Sequence, residues 1–358
     1  MKLSKIGVLC VALMTVSLAS CGRQEPVDNT VTVFVLSGQS NMEGSTTYVS
    51  ASGDQWLRNA FTRLNEENEN LNLDITPFED ADGNISKNAP GIPEIQVSYY
   101  GFYPPNGASS AHASNETDKL AGKFAPVNVA MGSQERFMGP EIGMSMLLKE
   151  YASEDKPIYF IKCAFSGSGF RNSAPNWAHN STFSGYNASN NLYETYFAPF
   201  VNNNLKYIEE ELGKTPVIKG FLWHQGESDS GSSTYKDDLG SLVERFRTEY
   251  AEYAPEEDGQ NIAFVDGYIY DGPRSPYGAD TDLTVNKQKD LLAQEKENNY
   301  VINTSYHHDD GQTKMELNIN PDDGDVEGGV DRYHYKTYDC VRLGMAYAQV
   351  LINNGYLE

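Results

Sequence analysis

Five short runs along the chain are apolar and rich in Val, Ile, Phe or Tyr: Val31–Leu36, Ile158–Ala164, Val217–Trp223, Ile262–Asp266 and Tyr300–Thr304. Their length and side-chain types predict strands. Between and after them the apolar positions fall at helical spacing. Within Gly139–Ala152, Ile142, Met146 and Leu147 share a face, and Pro140 is allowed in the first turn. Leu192–Leu212 predicts a longer helix interrupted at Pro199, and Tyr235–Tyr253 places Leu239, Leu242, Val243 and Phe246 together. Thr284–Asn298 carries a weaker helical pattern, and Lys336–Asn354 predicts the last helix. Strand then helix, repeated five times, predicts a parallel sheet with helices on both faces. Such sheets bind ligands beyond the carboxyl ends of their strands. Ser40, Gly167 and the stretch His224 to Glu227 each fall just after a predicted strand.

Two stretches break this rhythm. Residues 46–134 form an insertion that includes the Tyr-, Pro-, Gly- and Asn-dense run Val97–Lys119, and Ser305–Val330 is acidic and Gly-rich. Long segments beside a site serve as lids or binding walls, or only decorate the surface. No internal repeat is present. Ahead of the first strand, Lys2 and Lys5 precede the apolar run Ile6–Ala19, which is too short for a typical membrane span. This is the layout of a cleaved secretory leader. Its end, Leu18-Ala19-Ser20-Cys21, resembles the lipobox of bacterial lipoproteins, in which Cys21 becomes the lipidated first residue. The expected division is a signal peptide over 1–20, a lipidated polar tether over 21–30, and a single domain over 31–358 carrying the two insertions. The domain would stay in water, held at the periplasmic or outer-membrane surface by its lipid.

Composition narrows the partners. The formal charge of −23 becomes more negative still once Lys2 and Lys5 leave with the leader. So acidic a surface argues against nucleic acid or anionic lipid, which leaves the lipid anchor as the only membrane contact. With Cys10 in the leader and Cys21 acylated, Cys163 and Cys340 remain. Two cysteines in a chain of this size predict buried thiols rather than a disulfide framework.

The chemistry begins at "GQSNM", where the first strand stops and presents Ser40. A serine near neutral pH needs an imidazole to take its proton and a carboxylate to orient that imidazole. "DRYH" places Asp331 three residues before His334, directly ahead of the last helix. "WHQGESD" supplies Gln225, an amide donor for a developing oxyanion, and Glu227, a second carboxylate. Gly167 in "AFSG" allows a backbone N–H to approach a substrate closely. His224 reads as a buttress rather than a base. His307 and His308 beside Asp309 and Asp310 read as a solvated loop without metal-ligand spacing. "NPDDGDVEGG" lacks the full calcium-loop pattern. Trp177, Tyr99 and Tyr100 are candidates for stacking on sugars, or ordinary packed aromatics.

In their order, "GQSNM", "GPEIG", "AFSG", "WHQGESD" and "DRYH" resemble the SGNH hydrolases. They most resemble the branch of sialate O-acetylesterases and acetylxylan esterases, the sixth carbohydrate-esterase family. The resemblance implies a three-layer α/β/α sandwich with a five-stranded parallel sheet, flavodoxin-like, that removes acetyl groups from carbohydrates without a metal or other cofactor. It implies Ser40 as nucleophile, His334 as base, and Ser40 N–H, Gly167 N–H and the Gln225 side chain as the oxyanion hole. Asp331 matches the family's acid, with Glu227 of the HQGE block as the alternative. Ser166-Gly167 stands where the family usually has Gly-Gly. Two other functions remain open at this point: a lipid or thioester hydrolase on the same fold, and a non-catalytic glycan-binding lipoprotein.

Overall fold

A computed structural model describes residues 29–49, 53, 55–100, 123–170, 176–178, 191–272, 275–277, 283–305 and 333–357. The strands, in chain order, are β1 (Thr30–Gly38), β2 (Thr46–Thr47), β3 (Ile92–Tyr100), β4 (Ala125–Val127) and β5 (Phe137–Met138), then β6 (Ile158–Ala164), β7 (Thr215–His224), β8 (Ala263–Gly267) and β9 (Asn299–Ile302). The α-helices are α1 (Ser40–Glu43), α2 (Trp56–Glu67), α3 (Glu141–Leu148), α4 (Ala198–Glu210), α5 (Tyr235–Glu249), α6 (Thr284–Ala293) and α7 (Thr337–Asn353). A single π-helical turn, Tyr193–Phe197, leads into α4, whose first turn holds Pro199 where its missing N–H costs nothing.

One sheet runs β4-β3-β6-β1-β7-β8-β9. All neighbours in it are parallel except β3 and β4. The five expected strands stand in the flavodoxin-like order 2-1-3-4-5 when numbered among themselves along the chain. The expected count of five is corrected to seven, because the first insertion adds β3 and β4 to the edge beside β6. Their signal is hidden by Pro93, Glu94 and Gln96, which break any apolar run. Pro93 is tolerated because pairing with β6 begins only at Ile95↔Ile158, so its missing N–H takes no ladder bond there. The same insertion supplies α2, so a substantial part of it is built into the layers rather than hung on them.

Alternation along the strands feeds two separate cores. Val31, Val33 and Val35 of β1 face one side with α4, α5 and α6, where Val201, Leu205, Leu239, Phe246 and Val285 meet them. Phe34 and Leu36 face the other side with α2, α3 and α7, against Phe61, Ile142, Val341 and Tyr347. Each fully buried side chain of this kind contributes roughly 1.5–3 kcal/mol. β1 is therefore clamped on both faces and on both edges, and its carboxyl end is a rigid place from which to deliver a side chain. Cys163 and Cys340 are both buried free thiols, in opposite cores.

Candidate active site

The chain turns from β1 into α1 at a point only glycine can occupy. Gly38 has φ +137°, and a Cβ there would lie 2.1 Å from the carbonyl oxygen of His224. The next N–H, that of Gln39, donates to this same oxygen at 2.9 Å. The ends of β1 and β7 thus leave the sheet side by side, at the point where the strand order reverses. Ser40 opens the helical turn α1, which closes through Glu43 N–H to Gln39 O at 2.8 Å and Gly44 N–H to Ser40 O at 2.9 Å. As the first residue of that turn, Ser40 has an N–H without an intrahelical acceptor.

Asn41 follows, and its side chain does the work of assembly. Nδ2 donates to Glu227 Oε1 at 2.8 Å and to the carbonyl of Tyr333 at 3.1 Å, while Oδ1 accepts from Tyr335 N–H at 3.4 Å. The two peptide groups that flank His334 are therefore held by the residue next to Ser40. Thr46 and Thr337 add to the clamp, through Thr46 Oγ1 to Tyr335 O at 2.9 Å and Thr337 Oγ1 to Thr47 O at 2.7 Å. Residues almost three hundred positions apart in sequence meet here. Nothing in the spacing of "GQSNM" and "DRYH" reveals that Asn41 is the tie between them.

Glu227 is buried, and burial raises its carboxyl above the ordinary range against the pull of Asn41, Lys289 and His334. Its Oε1 accepts from Asn41, and its Oε2 has no hydrogen-bond partner among the described residues. Asp331, the other expected acid, lies outside the described residues, as do Cys21, the leader, and His307 to Asp310. His224 is fully buried between Tyr335 Oη, 3.3 Å from Nε2, and Tyr347 Oη, 3.3 Å from Nδ1. Burial, aided by Lys289, pushes its pKa well below the ordinary value, so it stays neutral and packs the floor of the site.

The expected oxyanion donors differ from one another. Gly167 is solvent-exposed with φ +71°, and nothing lies within 4 Å of the position a Cβ would take. It occupies the turn closed by Ser168 N–H to Phe165 O at 3.2 Å, and open space lies over its α-carbon. Gln225 is the opposite case. It is fully buried, with Nε2 donating to Asp229 Oδ2 at 2.9 Å, Gln39 Oε1 at 3.1 Å and Ser168 O at 3.2 Å, and Oε1 accepting from Tyr235 Oη at 2.7 Å. An amide has two protons, and both are already committed. In this arrangement Gln225 ties the β1, β6 and β7 loops together instead of offering a donor to a ligand.

Glu43 was not visible as a site residue in the sequence. It is buried at the end of α1, where Oε2 accepts from Ser166 N–H at 2.9 Å and also from the Ser166 hydroxyl. Burial raises its pKa to about 7, opposed by the two Ser166 hydrogen bonds and by the nearby Lys162 and His334. The aromatic residues first considered for sugar stacking are placed elsewhere. Trp177 is fully buried, edge-on to Trp223 at 5.0 Å, and Tyr99 is buried as well, while Tyr100 stacks on Tyr196. The exposed ring at the site is Tyr333, 53% exposed, beside His334 and 6.0 Å from the ring of Tyr277.

The sequence model of the family "Carbohydrate esterase, sialic acid-specific acetylesterase" matches residues 107–353. That span contains Gly167, Gln225, Glu227, Asp331 and His334, while Ser40 reaches the same edge from outside it, on β1. No match was found among curated proteins. Among solved structures, the fold is similar to that of a protein from Arabidopsis thaliana, with TM-score 0.50 and 17% identity, covering 90% of this chain and 98% of that one. It is also similar to NanS, with TM-score 0.52 and 12% identity, covering 92% of this chain and 99% of that one. With the family match spanning more than half its length, the chain belongs to the sialic acid-specific acetylesterase family of carbohydrate esterases.

Proposed function

We propose that this esterase removes O-acetyl groups from sugars through an acetyl-serine intermediate formed on Ser40. The observation that carries the proposal is the Asn41 clamp, which binds the peptide groups on either side of His334 from the position next to Ser40. Ser40 Oγ attacks the acetyl carbonyl carbon while its proton passes to His334. The sugar oxygen then leaves and takes that proton. Water attacks the acetyl-serine, giving its proton to His334, and acetate departs as Ser40 is reprotonated. Asp331, the carboxylate three residues before His334 in the "DRYH" run, is the partner we assign to it. Ser40 N–H and Gly167 N–H are the donors we assign to the oxyanion, with Gln225 supporting the loops behind them. Each such donor is worth on the order of 3 kcal/mol of barrier. The exposed Tyr333 supplies a face on which a sugar ring can rest.

The test is acetate release from a chromogenic acetate ester, from O-acetylated sialic acid and from acetylated xylan. Ser40→Ala should lose at least about 1,000-fold in kcat, as removal of a serine nucleophile does. Asn41→Ala should lose roughly 10- to 100-fold, because His334 stays present and loses only its orientation. The preferred substrate identifies the sugar. Release that survives Ser40→Ala would place the chemistry elsewhere.

A further inference from the structure

The mechanism proposed above uses Ser40 on α1 and Gly167 on the loop after β6, and Gln225 ties those loops together through Gln39 and Ser168, but it names nothing that holds Ser166, the residue before the donor. A turn with glycine at its third position is a poor anchor by itself. Gly167, with φ +71° and no neighbour around its α-carbon, lets the Ser166–Gly167 peptide turn over at little cost. What can be fixed is the residue before it, and one side chain does so. Glu43 Oε2 accepts both the N–H and the hydroxyl of Ser166, and both residues are buried. Glu43 also closes the helical turn that begins at Ser40. A single carboxylate therefore joins the turn bearing the nucleophile to Ser166, the residue directly before the oxyanion donor.

We infer that Glu43 is a positioning residue for acyl transfer: its double hydrogen bond, to the Ser166 N–H and hydroxyl, anchors Ser166 relative to Ser40, and so places the residue from which the peptide bearing the Gly167 N–H extends. The inference rests on the esterase reading above. Glu43 touches neither substrate nor reacting atoms, and acts through Ser166. The serine at this position is what makes the tie double, since a glycine there would offer only its N–H. Ser166 and Glu43 are thus two halves of one device. Its second oxygen, Oε1, is buried without a hydrogen-bond partner among the described residues, so the carboxylate is held from the Ser166 side.

The experiment compares wild type with Glu43→Ala, Glu43→Gln and Ser166→Ala on the chromogenic acetate ester, with a thermal melt of each. An oxyanion donor acts in the transition state and little in the ground state, so loosening it should lower kcat and leave KM alone. Glu43→Ala should lose about 10- to 100-fold in kcat with KM within about twofold, somewhat less than outright loss of a donor. Glu43→Gln keeps an oxygen that accepts both bonds, and should stay within about fivefold of wild type. Ser166→Ala keeps the N–H bond alone and should fall between the two. Wild-type kcat in Glu43→Ala, or a fall in Glu43→Gln as deep as in Glu43→Ala, would overturn the inference, the second by showing that charge matters and the tie does not. If Glu43→Ala fails to fold, Glu43→Gln and Ser166→Ala decide it: Ser166→Ala must lose more than Glu43→Gln. Ser40-dependent activity in wild type separates this failure from failure of the esterase reading, whose absence would overturn both.

Discussion

At the scale of single residues, the site is a set of carboxyl groups placed where water does not reach, and pH should register on them. Glu43 is raised by burial from its ordinary 4.5 to about 7, and Asp266 from 3.8 to about 6, even though Lys289 lies 2.7 Å away. A raised carboxyl pKa means the folded protein keeps a proton that the unfolded chain has already released. The stabilisation from each group is complete below its unfolded pKa and is lost as pH climbs through its folded one. For Glu43 that window runs from about 4.5 to about 7. The Glu43 contribution to the free energy of unfolding in urea should therefore fall from pH 5 to pH 8, while His224, whose pKa is lowered by burial, slopes the other way up to its unfolded value of 6.5. Glu43→Gln should remove roughly 2–3 kcal/mol of the fall. An unchanged slope in that variant would remove Glu43 from the account. Asp266, next to a buried lysine, leaves a smaller residual slope of the same sign.

At the scale of elements, what matters is how strand ends leave the sheet. β1 and β7 run in register to Gly38↔His224 and then separate into the two loops that hold Ser40 and Glu227. The close approach at Gly38 is the hinge of that arrangement. Gly38→Ala puts a carbon 2.1 Å from the His224 oxygen in a backbone conformation that alanine resists. Both effects act together, so the variant should lose more than about 3 kcal/mol of stability and most of its activity. Gly213→Ala is the control. It also has positive φ but meets nothing within 4 Å, and its cost should be only about 1 kcal/mol. Equal losses in the two variants would mean that backbone strain, and not the β1–β7 approach, is what Gly38 relieves. At the same scale, β3 shows the limit of pattern reading. Its pairing partners come from β6 and β4, and its own residues do not alternate cleanly enough to announce a strand.

At the scale of the whole molecule, a charge of −23, two separate cores and the leader expected from the sequence bear on how the enzyme would meet its substrate. Lipidation of Cys21 would keep this acidic domain at a membrane it otherwise has no reason to approach. Expressed with its leader in a bacterium that processes lipoproteins, wild type should sediment with membranes, and Cys21→Ala should appear in the soluble fraction. Equal sedimentation of both would reject the anchor. The sequence by itself determined the strand-and-helix alternation, hence the layered α/β/α class, because side-chain period is a local property that survives without neighbours. It also placed Ser40, Gly167, Gln225 and His334 at loops after strands or before the last helix, because motifs are local too. The strand count, the fates of Trp177 and Tyr99, the commitment of the Gln225 amide, and the roles of Asn41 and Glu43 were decided only in three dimensions. Each depends on a partner far along the chain: Asn41 on Tyr333 and Tyr335, Glu43 on Ser166, Gln225 on Ser168 and Gln39. A side chain's chemistry is written at its own position, but whether its hydrogen bonds are free or already used is settled by what the fold brings beside it.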